Sequence, residues 1–343
     1  MNKLVSIIIP HFNNETILLN CIQSIYDSSY KNFEIIIVDN ASTDDSIKKA
    51  KDKFPNIRII TSNYNSGYAG GCNYGAKEAL GEYLFFLNND TTIDSSCINE
   101  LVKQLQHNNK TASVQPKILN MNNKSYFDYA GACGGFMDYL VFPYTRGRIF
   151  NTIEQDRKQY DKPEKIFWAS GAGFLTRKNI FEALSGFDND LFAHMEEIDY
   201  HWKSYLAGYD VWVTPSSIIY HLGGGTLDMQ SPQKTYYNHR NSLVLLLSNY
   251  SIIKSIFYFM IRLPLEIISS IKDLINLKPV HFFSHYKALL WIIFNFSIII
   301  NRRSSIKSIK VKSNELLFKE GLILKSSILF KYFILGKKKY SNL

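Results

Sequence analysis

Three short clusters of carboxylate and amide side chains hold the chemistry this sequence offers. The first is Val38-Asp39-Asn40-Ala41-Ser42-Thr43-Asp44, which closes a β-branched run and opens a helix-like stretch. A carboxylate at such a strand end can accept hydrogen bonds from a base edge or ribose hydroxyls, and it can equally cap the helix that follows. The second is Leu87-Asn88-Asn89-Asp90-Thr91, after the apolar run 83–87. Mg2+ and Mn2+ favour oxygen ligands and bind through one or two carboxylates when a diphosphate supplies the rest, a need that Asp90 can meet. The third is His194-Met195-Glu196-Glu197-Ile198-Asp199, within a helical pattern spanning about 194–207. Three carboxylates in four residues repel one another unless a cation or a proton compensates. On a helix Glu196 and Asp199 share a face and Glu197 is rotated by about 100°. A carboxylate here can act as general base toward a hydroxyl.

Two further features belong with these clusters. Asn65-Ser66-Gly67-Tyr68-Ala69-Gly70-Gly71-Cys72-Asn73 opens a helix, where glycines permit close backbone approach and the helix N-terminus attracts phosphate. It is not a dinucleotide fingerprint, because the first strand runs instead into Pro10-His11-Phe12-Asn13-Asn14. His221 follows a strand-like run and precedes three glycines; near a divalent ion it becomes a candidate ligand.

The elements that must position these residues alternate in type. Apolar β-branched runs at 4–9, 33–38, 57–61 and 83–87 are separated by helix-like stretches at 14–27, 43–53, 70–80 and 94–107. Such alternation predicts βαβ units and a mostly parallel sheet. Ligands bind at the carboxyl ends of strands in such sheets, where the first two clusters fall. Residues 120–167 lose periodicity and predict a long functional insertion. A short strand is expected at 210–214, loop at 221–233, and helix throughout from 234. Two units are expected: an α/β body over 1–233, in halves 1–118 and 119–233, and a basic helical extension over 234–343.

With 46% hydrophobic and 20% charged residues the chain is not a disordered one. Cys21, Cys72, Cys97 and Cys133 are too widely spaced for a zinc ribbon or a disulfide framework, and Met1-Asn2-Lys3 leads straight into the first strand; a cytoplasmic protein is expected. Residues 301–343 carry 11 Lys and Arg against 2 Asp and Glu, while residues 1–300 balance at 28 against 28. The basic surplus is therefore a C-terminal feature. It sits beside the apolar run 288–300, which is shorter than the roughly 20 residues of a membrane span. Amphipathic alternation over 316–335 favours an anionic membrane surface and disfavours nucleic acid.

Taken in order, VSIIIPHFNN, IIIVDNASTDDS, NYNSGYAGGCNYGAKEALGEYLFFLNNDT, FWASGAGFLTRK, GFDNDLFAHMEEIDYHWK, GYDVWVTPSSIIYHLGGGT and YYNHRNSLVLLL resemble a family 2 glycosyltransferase of GT-A fold, in the rhamnosyltransferase-like group that builds bacterial surface polysaccharides. The resemblance covers roughly residues 4–250. It implies an inverting enzyme that moves a sugar, rhamnose among the candidates, from a nucleotide diphosphate to a lipid-linked saccharide at the inner face of the membrane. It implies that Pro10, Phe12, Asp39, Ser42, Asn65, Gly67, Asn73, Asn88 and Asn89 surround the donor nucleotide. Asp90 matches the last position of the family's DxD motif, Asn88 replaces its first Asp, and His221 is a further ligand of Mn2+ or Mg2+. Glu197 matches the catalytic base, with Glu196 beside it as the other candidate. Trp168, Gly171 and Ala172 fall on the acceptor side, where Arg146 and Arg148 could grip a pyrophosphate. A homo-oligomer is possible. A sugar nucleotidyltransferase would want a basic, glycine-rich loop that residues 10–20 lack; a non-catalytic membrane-docked relative is the other alternative.

Overall fold

The computed structural model describes residues 3–223 and 231–343. Its first part runs β1 (Val5–His11), α1 (Glu15–Tyr26), β2 (Phe33–Asp39), α2 (Ser46–Lys53), β3 (Arg58–Thr61), α3 (Gly67–Glu78), β4 (Tyr83–Leu87), β5 (Thr91–Ile93) and α4 (Cys97–His107). β1 lies between β2 and β4, parallel to both, and β3 continues the parallel order beyond β2. These strands read as unbroken apolar runs because helices cover both faces.

The sheet is extended by β6 (Thr111–Asn120), β11 (Glu164–Lys165), β12 (Gly173–Arg177) and β13 (Asp210–His221), giving the order β11-β13-β6-β12-β4-β1-β2-β3. β12 is antiparallel to both its neighbours, so the sheet is mixed. The strand expected over 210–214 is longer than its pattern suggested. Its pairing with β6 breaks register between Thr214 and Ile218 and then resumes to His221, where β5 pairs with it from the other side. His221 stands opposite Thr91 in that pairing, which brings it next to Asp90.

The aperiodic stretch 120–167 is an insertion, as expected, but it is built. β7 (Gly135–Asp138), β8 (Pro143–Thr145), β9 (Arg148–Ile149) and β10 (Thr152–Ile153) make a second sheet with β14 (Ile323–Leu324). After α5 (Lys178–Ala183) and α6 (Glu196–Leu206), the C-terminal part packs α7 (Pro232–Asn249), α8 (Ile252–Ile275), α9 (Pro279–Phe294), α10 (Phe296–Ile309) and α11 (Asn314–Lys319). The expected helix throughout does not hold beyond Lys319. Gly321 turns the chain at φ 74°, β14 joins β7 in parallel, and a π-helical turn follows at Phe330–Ile334. Residues 316–335 are therefore not one continuous helix. One hydrophobic core runs from Ile8 to Ile328, so residues 234–343 have no separate core. Part of the basic surplus is also internal: Arg302 is buried in ion pairs with Asp188 and Asp199. All four cysteines are free and buried.

Among the described residues no single helix is long and apolar enough to cross a membrane; α9 and α10 pass that test only as a pair bent by 69°. Instead a buried polar hub joins the helices. Glu266 of α8 accepts from Arg262 Nε at 2.6 Å, from His239 Nδ1 of α7 at 2.6 Å and from His285 Nδ1 of α9 at 3.3 Å. Arg262 also donates to Leu140 O of the insertion at 2.6 Å. Removing one partner of a buried pair leaves an uncompensated charge, at a cost of about 3–5 kcal/mol. Glu266→Ala should therefore lower the unfolding free energy by about that amount in urea denaturation; a loss under about 1 kcal/mol would show that Arg262 finds other compensation.

Candidate active site

The carboxyl ends of β1, β2 and β4 converge on one cleft. His11 and Asp39 are register partners there. His11 Nδ1 accepts from Asn89 Nδ2 at 2.8 Å, its Nε2 lies 2.8 Å from Ser46 Oγ, and burial lowers its pKa to about 4, so the ring is a neutral strut. Asp39 Oδ1 accepts the Ser42 amide at 2.8 Å, and Ser42 Oγ accepts the Asn13 amide at 3.1 Å. α3 opens at Gly67 with φ 71°. A Cβ there would lie 2.4 Å from Phe192 O, so only glycine fits.

Opposite lies a buried triad of side chains. His221 Nε2 is 3.2 Å from Asp90 Oδ1, and its Nδ1 is 2.8 Å from Asp128 Oδ1. Burial disfavours a charged His221, but the two carboxylates outweigh it and raise its pKa to about 10. Asp128 fixes the ring so that Nε2 faces Asp90, the arrangement in which an outer carboxylate orients a metal-ligating histidine. A divalent ion held by Asp90 and His221 would replace the shared proton.

The carboxylates of α6 arrive by a strained route. Phe192, His194 and Met195 have φ of 62°, 67° and 73°, conformations that cost non-glycine residues on the order of 1–3 kcal/mol each. The turn persists because α7 grips its carbonyls. Asn241 Nδ2 donates to Leu191 O, Ala193 O and His194 O at 2.9, 3.0 and 2.6 Å. Arg240 Nη2 donates to Asp190 O at 2.7 Å, and its Nε orients Asn241 through Oδ1 at 2.7 Å. Beyond the turn the three carboxylates separate. Asp199 is buried against Arg302 and Lys203, each at 2.6 Å, which hold it below the carboxylate range despite burial. Glu196 and Glu197 face the cleft. Burial, then the Glu197 charge, pushes Glu196 well above that range. Burial raises Glu197 to about 7, moderated by backbone amides that include Gly171.

The sequence model described as glycosyl transferase family 2 matches residues 6–185. The chain belongs to that family. Among its curated relatives, a UDP-Glc:α-D-GlcNAc-diphosphoundecaprenol β-1,3-glucosyltransferase of Escherichia coli is 43% identical over 91 residues, covering 26% of this chain and 36% of its own length. An N-acetylglucosaminyl-diphospho-decaprenol L-rhamnosyltransferase of Mycobacterium tuberculosis is 22% identical over 208 residues, covering 56% and 67%. Other curated relatives are matched over only 23% to 45% of their own length. The crystal structure of GalNAc-T7 with UDP, GalNAc and Mn2+ superposes with a TM-score of 0.60 at 15% identity, covering 87% of this chain and 57% of that one. The fold is GT-A.

In this family 2 glycosyltransferase a single cavity of about 1330 Å³ is lined by Pro10, Phe12, Asn65, Gly67, Asn88, Asn89, Arg148, Trp168, Gly171, Ala172, Glu196, Glu197 and His221. Asp39 and Ser42 stand behind that lining, bonded to each other, and Asp90 stands behind it beside His221. Two expectations are corrected. Asn73 is occupied by Phe187 and Asn189, through bonds of 2.8 to 3.0 Å that pin α3 to the turn before α6. Arg146 does not line the cavity: it bonds Glu164 and Cys133 O, buried inside the insertion. Asp128, His194 and Asn241 were missed as contributors. Asp128 lies in the aperiodic stretch, where no pattern marks it, whereas Arg240 and Asn241 sat in a recognised segment without a role.

Loss of the Asn241 grip should let the turn relax. A misplacement of about 1 Å can cost on the order of 10²-fold in rate. Asn241→Ala should lower kcat to that extent with nucleotide affinity unchanged; a kcat within twofold of wild type would show that the turn holds itself.

Proposed function

We propose that this chain is an inverting glycosyltransferase that moves a sugar, with rhamnose among the candidates, from a nucleotide diphosphate donor to a lipid-linked saccharide during cell-surface polysaccharide assembly. The observation that carries the reading is that His221, with Asp90 behind it, and the Glu196–Glu197 pair face the same cavity. The E. coli and M. tuberculosis relatives are named for diphospho-polyprenol acceptors, and the GalNAc-T7 structure holds a nucleotide with Mn2+.

The carboxylate–imidazole pair fits a divalent ion, Mn2+ or Mg2+, held by Asp90 and His221 with Asp128 as the outer carboxylate. When bound, the ion supplies charge neutralisation at the departing diphosphate. The chain's own residues do the rest. Burial and the neighbouring Glu197 charge push Glu196 well above the carboxylate range. Glu197, nearer neutrality and held by the Gly171 amide, accepts the proton of the acceptor hydroxyl. The hydroxyl oxygen bonds to the anomeric carbon as the bond from that carbon to the diphosphate oxygen breaks on the opposite face. One base and no enzyme nucleophile gives inversion. Trp168, Gly171 and Ala172 line the acceptor side. Arg148, buried with its Nε unsatisfied, faces the acceptor's phosphates.

The reading extends to location. α8 and α9 expose Ile253, Ile256, Phe257, Ile293 and Phe294. With the basic residues that remain on the surface of the extension, this face suits peripheral docking on the anionic inner leaflet. The reading requires co-sedimentation with anionic vesicles at low salt.

The test of the chemistry has two arms. UDP, dTDP and GDP are compared by thermal shift with and without Mn2+; at about 100 times its dissociation constant the cognate nucleotide should add about 2.7 kcal/mol, lost in Asp90→Ala. No shift with any nucleotide would favour a non-catalytic relative. In the second arm the transfer rate should rise with pH through about 7, because the base form of Glu197 appears above its raised pKa. Glu197→Gln should flatten that limb and remove on the order of 10²–10⁴-fold in rate. A flat wild-type profile across pH 5–8 would take the base role away from Glu197.

A further inference from the structure

The cavity does not end at the reacting groups. From Arg148 its lining continues past Phe150 to a wall made by one face of α8, Ile261, Leu265 and Ile268. Those residues are spaced by four and three, so they form one stripe along the helix. The opposite wall is the π-helical turn, whose Phe333 ring lies 5.5 Å from that of Phe150. At the far end the same side chains both line the cavity and stand in solvent: Ile268 is 62% exposed, Phe333 56% and Ile334 69%. The mouth carries apolar side chains on both sides, with Lys272 of α8 placing its Nζ 5.6 Å from the Phe333 ring, and is continuous with the exposed face of α8. A guanidinium lies at the inner end, near the Asp128 carboxylate. Arg148 is 8% exposed, stacks 4.2 Å from the Tyr129 ring, and has a carbonyl, Phe150 O, as hydrogen-bond acceptor.

A buried guanidinium at the inner end of a largely apolar passage, whose polar lining includes Arg262, His239 and Lys272, matches one ligand chemistry, an anion attached directly to a hydrocarbon chain. We propose that this passage holds the first isoprene units of the acceptor lipid, with its diphosphate at Arg148 and the remainder of the chain leaving between Ile268 and Phe333 toward the bilayer. The assignment rests on the lipid-linked acceptor reading and adds where the lipid lies. The buried hub at Glu266 and Arg262 fixes the α8 wall against α7, α9 and Leu140. The turn that forms the other wall is held through Tyr332, whose hydroxyl lies 2.8 Å from Thr152 Oγ1.

The probes are geranyl, farnesyl and geranylgeranyl diphosphate, with inorganic diphosphate as the chainless control, titrated below their micelle concentrations against intrinsic tryptophan fluorescence, to which Trp168 contributes from the cavity lining. Affinity should rise at least about tenfold per added isoprene unit while the passage fills. Arg148→Met should weaken all of them. Leu265→Lys and Phe333→Glu should weaken farnesyl diphosphate at least tenfold and leave inorganic diphosphate unchanged, and the nucleotide and Mn2+ thermal shift reports that each variant is folded. Equal affinity for farnesyl and inorganic diphosphate overturns the proposal. So does chain-length dependence that survives both variants, which would place the chain elsewhere. If Phe333→Glu instead splits a dimer with no change in farnesyl diphosphate affinity, the face is an interface between copies and the proposal fails. None of these readouts needs sugar transfer, so a failed nucleotide shift sinks the enzymatic reading separately.

Discussion

Three carbonyl groups of one turn, gripped by a single amide, decide where the chemistry of this molecule sits. The turn that leads into α6 is unfavourable by itself, since Phe192, His194 and Met195 all occupy left-handed backbone. Asn241 donates to Leu191, Ala193 and His194 at once, and Arg240 fixes the amide that does so. α7 is therefore part of the catalytic body even though it lies in the C-terminal extension. Gly67 belongs to the same constraint from the other side, because a side chain there would strike Phe192 O. Donor-side loop, turn and extension form one mechanical unit.

Burial then sorts the acidic residues that crowd this turn. Three carboxylates in four residues cannot all be charged in a low-dielectric site. Asp199 takes the cations, Arg302 and Lys203. Glu196, buried without a cation and beside Glu197, is pushed well above the carboxylate range. What remains is Glu197, poised near neutrality with backbone amides around it. Similar logic separates His11 from His221. The first is buried against neutral partners and stays uncharged, whereas the second lies between two aspartates and binds a proton strongly.

The parallel half of the fold was legible because strands covered on both faces read as plain apolar runs, and each observed strand from β1 to β4 falls within two residues of its run. The strand-end clusters were legible for the same reason, since the sheet dictates where Asp39 and Asp90 emerge. What lay hidden depends on contacts between distant segments. Three polar residues, Thr214, Ser216 and Ser217, together with Pro215, mask the continuation of β13 that places His221. Asp128 sits in a stretch without period. Asn73 reads as a phosphate-loop residue, yet its amide is spent on Phe187 and Asn189. Arg146 and Arg148 look equivalent in the sequence and differ only because one meets Glu164 and the other opens on the cavity.

The parallel pairing of β14 with β7 has a consequence for how the molecule comes into being. Residues 323–324 complete a sheet begun at 135–138, and Arg302 completes an ion pair begun at Asp188 and Asp199. On a ribosome these partners emerge after the segments they complete. At about 5–20 residues per second, the roughly 80 residues from Asn241 to Ile323 take about 4–16 s to appear. In that interval the parallel sheet can already be folded while the second sheet still lacks its edge strand. A chain halted before residue 302 would hold the parallel strands but neither the cation that anchors Asp199 of α6 nor the turn at 330–334 that walls the cavity.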